Sequence, residues 1–165
     1  MEMQVYIANL GKCNEGELVG AWFQPPIDEE EVAERIGLND EYEEFAIHDY
    51  ELPFDIDEYE SIDRINELCE AIKELEGSPI YEELKEIQSM WFSSIEELLE
   101  HVEDIICYSD CDSMKDIANE ALESGCLGEI SEKVKMYIDY SALGRDMEIE
   151  GNYLITSHGI FEYIT

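Results

Sequence analysis

Carboxylates dominate the chemistry available to this chain: 43 Asp and Glu stand against 9 Lys and Arg in 165 residues, for a formal net charge of −34. Paired carboxylates can serve general acid–base catalysis when their surroundings push their pKa values apart, but no spacing singles out one pair among so many. Carboxylates also hold calcium, and Asp110-Cys111-Asp112 begins like a calcium loop. Met114 and Lys115 then stand where an oxygen ligand and the turn glycine belong, so no such site is expected. His48, His101 and His158 are isolated, and Cys13, Cys69, Cys107, Cys111 and Cys126 follow no C-x-x-C spacing. Neither zinc ligation nor a disulfide framework fits that pattern. A nucleophile elbow, a phosphate loop and a dinucleotide fingerprint are all missing. The expectation is a protein that is not an enzyme, with no catalytic residues, no metal and no cofactor.

What remains for the carboxylates is recognition. Small domains stay soluble at a net charge of magnitude about 2–8, so solubility does not call for this many. Hydrophobic residues still make up 45% and aromatics 10% of the chain, enough for packed cores and unlike a disordered polyanion. The charge is not confined to a tail: residues 1 to 82 hold 24 acidic and 4 basic side chains, and residues 83 to 165 hold 19 and 5. Nucleic acid and anionic lipid are themselves polyanions and make poor direct partners; a strongly basic protein is the expected one. No run approaches the roughly 18 apolar residues of a membrane span and no signal peptide is evident, so a soluble, cytoplasmic protein is expected.

The elements that must position these groups can be read from the apolar periods. Met3 to Leu10 and Leu18 to Gln24 read as strands joined by a Gly11 to Gly16 turn, with Pro25-Pro26 ending the second. Asp28 can cap a short helix that Gly37 closes, and Glu44 to Tyr50 returns as a third strand. From about Asp57 to Ile106 the period changes to about 3.6, predicting three helices. The first buries Ile62, Ile65, Leu68, Cys69, Ile72 and Leu75 and stops at Gly77. The second starts at Ser78-Pro79. The third carries a Ser94/Glu97 capping box and aligns Ile95, Leu98, Leu99, Val102, Ile105 and Ile106. Ser113 to Ser124 and Ser131 to Ala142 read as helices closed by Gly125 and Gly144. Asp146 to Glu150, Tyr153 to Ser157 and Ile160 to Ile164 read as an antiparallel meander. The fold class expected is α+β, an elongated string of three small domains: a mixed α/β unit over 1–60, an all-helical middle over 61–105, and a mixed unit with antiparallel strands over 106–165.

On these elements the carboxylates fall in stripes. Glu96, Glu100 and Glu103 recur at helical spacings of four and three, with Glu97 and Asp104 alongside. Glu30 and Glu34 repeat the pattern next to Asp28, Glu29 and Glu31, as do Glu82, Glu83 and Glu86, and Asp116, Glu120 and Glu123. Between Ile36 and Asp63 the chain has no Lys or Arg but carries Asp40, Glu41, Glu43, Glu44, Asp49, Glu51, Asp55, Asp57, Glu58 and Glu60. Like charges on a helix face destabilise it by roughly 0.2–0.5 kcal/mol per pair, and their separation of about 5–6 Å is of the order of successive phosphates. Duplex DNA carries one charge per roughly 1.7 Å of axis, so 34 charges match about 58 Å of duplex. Charge density is sufficient for imitating DNA; solvated helix faces without that geometry would give the same composition.

Specific strings narrow the choice. Met3-Gln-Val-Tyr-Ile-Ala-Asn-Leu-Gly-Lys12 with Asn14 to Phe23, then Ile36 to Phe54, Tyr137-Ile-Asp-Tyr140 with Gly144-Arg-Asp146, and His158-Gly-Ile-Phe-Glu162 resemble the ArdA antirestriction proteins. The resemblance is weakest from about Arg64 to Phe92. It implies a three-domain α/β homodimer that mimics bent duplex DNA. The implied partner is the methyltransferase core of a type I restriction-modification enzyme, bound at its DNA groove for the benefit of incoming mobile DNA. The family's antirestriction motif falls on Leu127 to Tyr140, including Leu127, Gly128, Glu129, Tyr137, Ile138, Asp139 and Tyr140. Lys133 and Lys135 make that stretch less acidic than simple mimicry requires. Ile160, Phe161, Tyr163 and Ile164 are dimer-interface candidates, with core packing as the alternative. The rival to the whole reading is a general acidic module that sequesters basic DNA-binding or nucleoid proteins.

Overall fold

The computed structural model describes residues 2–164. The chain divides into two compact units, Met1–Gly77 and Ser78–Thr165, each built around a small antiparallel sheet.

In the first unit, β1 (Gln4–Asn9) lies between β2 (Gly20–Phe23) and β3 (Phe45–Glu51). Val5 and Ile7 alternate onto one face and are fully buried, as period-two patterning requires. A register irregularity at Tyr6/Ile7 interrupts the β1–β3 ladder. The expected Gly11 to Gly16 turn is instead α1 (Leu10–Asn14) followed by a turn at Glu15 and Gly16. Asn9 explains the difference: its Oδ1 accepts from Lys12 N at 3.1 Å, capping the helix. The same buried side chain donates through Nδ2 to the Ile36 and Gly37 carbonyls at 3.0 and 3.2 Å. It thereby ties the end of α2 (Glu29–Ile36) to the central strand. Asp28 caps α2 and Gly37 closes it at φ 75, both as expected. Leu52 and Phe54 are buried behind β3, and Ile47 N donates to Glu58 O, pinning the following strap to the strand. Helix α3 (Ile62–Lys73) packs Ile62, Ile65, Leu68, Cys69 and Ile72 inward. Asn66 exchanges two hydrogen bonds with the Ile27 backbone at 2.7 and 2.8 Å.

The second unit corrects several expectations. The helix from Ser78-Pro79 is two pieces, α4 (Pro79–Glu82) and α5 (Leu84–Trp91), broken where Glu83 leaves helical geometry at φ −122. The helix from Ser94 is α6 (Ile95–Glu100), which passes through a 3-10 turn (Val102–Asp104) into β4 (Ile105–Tyr108). Ile105 and Ile106 are therefore strand residues. Their apolar phase continues the helical period, yet pairing with β6 (Gly159–Tyr163) satisfies their backbone groups across the sheet; a distant strand decided the local structure. After α7 (Met114–Glu123) comes α8 (Glu132–Lys135), much shorter than the expected helix to Ala142. Asp139 then caps a new helix, α9 (Tyr140–Glu150), accepting from Ala142 N at 3.0 Å. Asp146 to Glu150, expected as a strand, is the end of α9: Met147 and Ile149 alternate with carboxylates, but Ile149 is exposed. β5 (Tyr153–Thr156) pairs with β6, and the sheet order is β4-β6-β5. Gly144 closes no helix. It lies buried inside α9, where an added Cβ would stand 2.4 Å from Met114 O, so the glycine allows α9 to rest on the start of α7.

Candidate functional site

Every Asp and Glu lies among the described residues, and none is buried. All are exposed except Glu60, Glu83, Glu96, Glu97 and Glu162, which are half-buried. The charge is thus presented to solvent across both units, where a partner can meet it.

Local structure fixes where the carboxylates of the first unit project. In α2, Val32 and Ile36 face the core, which turns Glu30 and Glu34 outward. Asp28 Oδ1 accepts from Glu30 N at 2.8 Å, and Glu29, Glu30 and Glu31 occupy the first turn, where the helix dipole favours anions. Glu31 meets Arg35 at 3.6 Å on an exposed face, a contact worth little energetically. Asn39 Oδ1 accepts from the Glu41 and Tyr42 amides at 2.8 and 3.0 Å. That turn holds Asp40, Glu41, Glu43 and Glu44 into solvent. Tyr42 donates to Glu15 at 2.8 Å, and this bond is the main reason its phenol titrates above the usual range. Asp49 and Glu51 project from β3, and Asp55, Asp57 and Glu58 from the strap after it. Asp55 also accepts from Tyr50 Oη at 3.0 Å, and Asp57 from Tyr59 N at 2.9 Å.

In the second unit several carboxylates are committed to the protein itself. Glu97 Oε2 accepts from both Ser93 N and Ser93 Oγ at 2.7 Å, and these bonds hold its pKa low. The expected capping box is thus shifted: Ser94 does cap Glu97 N, while Glu97 reaches back to Ser93. Asp116 accepts from the Asp112 and Ser113 amides at 3.0 and 3.2 Å, and the Asp112 bond leads in keeping its carboxyl below the ordinary range. Glu83, with its side chain only 11% exposed, takes a 2.5 Å hydrogen bond with His158 Nδ1. That bond, then the charges of Glu83 and Glu82, raises the imidazole pKa against partial desolvation. Glu162 accepts from Tyr108 Oη at 2.9 Å. Desolvation first, then this carboxylate, pushes Tyr108 upward and takes Tyr153 to about 12.

The sequence-derived stripes are therefore divided. Glu82 and Glu86 are exposed while Glu83 turns to His158. Glu96, Glu97 and Glu100 lie on α6, but Glu103 and Asp104 belong to the 3-10 turn, so the five do not share one helix face. Asp116, Glu120 and Glu123 do share α7, opposite buried Ile117, Ala118 and Leu122. Among the described residues, no group of three His, Cys, Asp or Glu is placed to hold a metal ion. No helix among them is long and apolar enough to cross a membrane.

The stretch from Leu127 to Tyr140 has a different character. Gly128 adopts φ 92, Glu129 is exposed, and Lys135 is drawn onto Glu132 and Glu123 at 3.3 and 3.9 Å. Met136 and Tyr137 are both 81% exposed, and Leu127 and Val134 are also exposed, beside half-buried Ile138 and Tyr140. Asp139 serves as the α9 cap. Ile160 and Phe161 are fully buried within their own unit. Tyr163 packs edge-on against Phe92 at 5.0 Å, leaving Ile164 as the exposed member of the four interface candidates. Sequence reading assigned no role to Arg35 or to the Glu83–His158 contact; the latter joins residues 75 apart and leaves no local signal.

A family model described as antirestriction protein (ArdA) matches residues 5–162. Comparison with curated proteins gives no match.

Proposed function

The chain belongs to the ArdA family of antirestriction proteins, and from that premise we propose that it acts by occupying the DNA groove of a type I restriction-modification enzyme in place of duplex DNA. The observation that supports this reading is the placement of the charge: none of the 43 carboxylates is withdrawn into a core, so a net −34 faces solvent. A groove that binds DNA through many Lys and Arg releases counterions as it does so, and a folded polyanion uses the same attraction at a high association rate. The action is stoichiometric and cytoplasmic, and involves no catalytic residue. The exposed carboxylates of α2, the 40–60 segment, α6 with its following turn, and α7 make the contacts together.

The proposal includes a homodimer. With Ile160 and Phe161 occupied in the core, a second copy would meet the C-terminal unit through exposed Ile164 and half-buried Tyr163, which sedimentation of Ile164→Asp against the parent chain would test.

The deciding experiment is competition. Purified protein should displace specific duplex from a type I methyltransferase at near-equimolar ratio. Failure to displace DNA, together with binding of small basic proteins, would transfer the chain to the sequestering role.

A further inference from the structure

Beside the acidic surfaces of the first unit lies a notch of about 410 Å³ whose lining is mostly uncharged. Gln4, Gln24 and Ile27 are among its lining residues, together with Trp22, 37% of whose surface is exposed. Trp22 is on β2, an edge strand, and its ring meets Tyr6 edge-on at 5.5 Å. Arg35 also lines the notch and has little freedom: its guanidinium lies 4.6 Å over the Phe23 ring, donates to Trp22 O at 3.2 Å, and meets Glu31 at 3.6 Å. Glu31 lines the notch, and Glu51 holds Gln4 through a 2.6 Å hydrogen bond. One lining carboxylate, with a second bonded to the lining residue Gln4, accompanies a guanidinium that is already engaged.

We propose that this notch is an anchor for a lysine or arginine side chain of the basic partner, lodged with its aliphatic stem against Trp22 and its cationic head toward Glu31. The inference rests on the restriction-enzyme reading and adds to it a contact that phosphate imitation does not provide. Three observations support it. The volume lies in the range of pockets that enclose a bound group. Trp22 and Arg35, which both line it, are of residue types that concentrate binding energy at protein interfaces. The occupant's charge complements the carboxylates, and an indole face attracts a cation more strongly as water leaves. Surface carboxylates provide long-range attraction that salt screens; a desolvated indole contact is short-range and much less screened. The notch would thus discriminate among basic grooves that the charge alone treats alike.

The test measures displacement of duplex from a type I methyltransferase across a salt series, for the parent chain, Trp22→Ala, Trp22→Phe and Glu58→Gln. Trp22→Ala should displace about tenfold less effectively at every salt concentration, with an unchanged salt slope, and Trp22→Phe should fall between. Glu58→Gln should instead lower the slope. Equal displacement by Trp22→Ala, or a loss that follows the salt slope, overturns the anchor while the inhibitor reading stands. A parent chain that displaces no DNA removes both. Hydroxyl-radical footprinting of the unmodified chain gives a readout that does not depend on how the variants fold. Protection of Trp22 in the complex is expected, and undiminished oxidation there rejects the proposal.

Discussion

At the scale of single residues, carboxylates of identical chemistry divide into two roles. Glu83, Glu97, Asp116 and Glu162 accept hydrogen bonds that organise their own unit, while most of the remainder face water. The Glu83–His158 pair makes the first role measurable. His158 has a folded pKa above its ordinary 6.5, so the stabilisation is complete below about pH 6.5 and is lost as pH rises through the higher folded value. His158→Gln should remove that component. Thermal midpoints of the parent and variant should differ most below about pH 6.5 and converge as pH rises through the raised folded value. A difference that grows with pH would refute the assignment. Asp116 runs the other way: its depressed pKa contributes above its unfolded value of 3.8 and is lost as the carboxyl protonates below it.

Elements show where sequence periodicity was sufficient and where it failed. Strands β1, β2 and β3 were legible from their alternation, and helices α2 and α7 because an apolar face, a cap and a glycine at or just past the end agreed; α3 was legible from its apolar face, although it ends at Lys73, short of the expected stop at Gly77. Ile105 and Ile106 misled because a strand residue and a helix residue can share one apolar phase, and only β6, more than fifty positions away, decides between them. Gly144 misled for a related reason. A glycine late in a helical pattern reads as a stop, whereas here it is a point of contact, and the partner backbone at Met114 is invisible from local sequence. Gly144→Ala should therefore cost about 1–3 kcal/mol through overpacking of the α7–α9 crossing, although alanine is the better helix former. Urea unfolding of the full chain checks it; a neutral or stabilising change would show that the crossing is loose. The carboxylate positions were legible individually, but their division between α6 and the 3-10 turn was not, since it follows from where α6 ends.

For the whole molecule, one charge excess acts on folding and on binding with opposite sign. A net −34 repels itself in the folded state, and added salt screens that repulsion. The thermal midpoint should rise between about 20 mM and 500 mM sodium chloride. Over the same range displacement of DNA from a basic groove should weaken, because competition between two polyanions for one cationic site depends on the same field. Scanning fluorimetry and the displacement assay in matched buffers would show the two trends crossing. A midpoint that is flat or falls with salt would mean that self-repulsion is not a significant cost.

The exterior position of the carboxylates has an evolutionary reading. Apolar side chains such as Val5, Ile36, Ile65, Leu98 and Phe161 build the interior, so the solvent-facing charges that cap no helix can drift, trade Asp for Glu, or shift by a residue with little penalty to folding. Under the proposed competition, an enzyme that replaced one groove lysine would escape only a small fraction of the attraction, and compensating changes would be available at many positions on this surface.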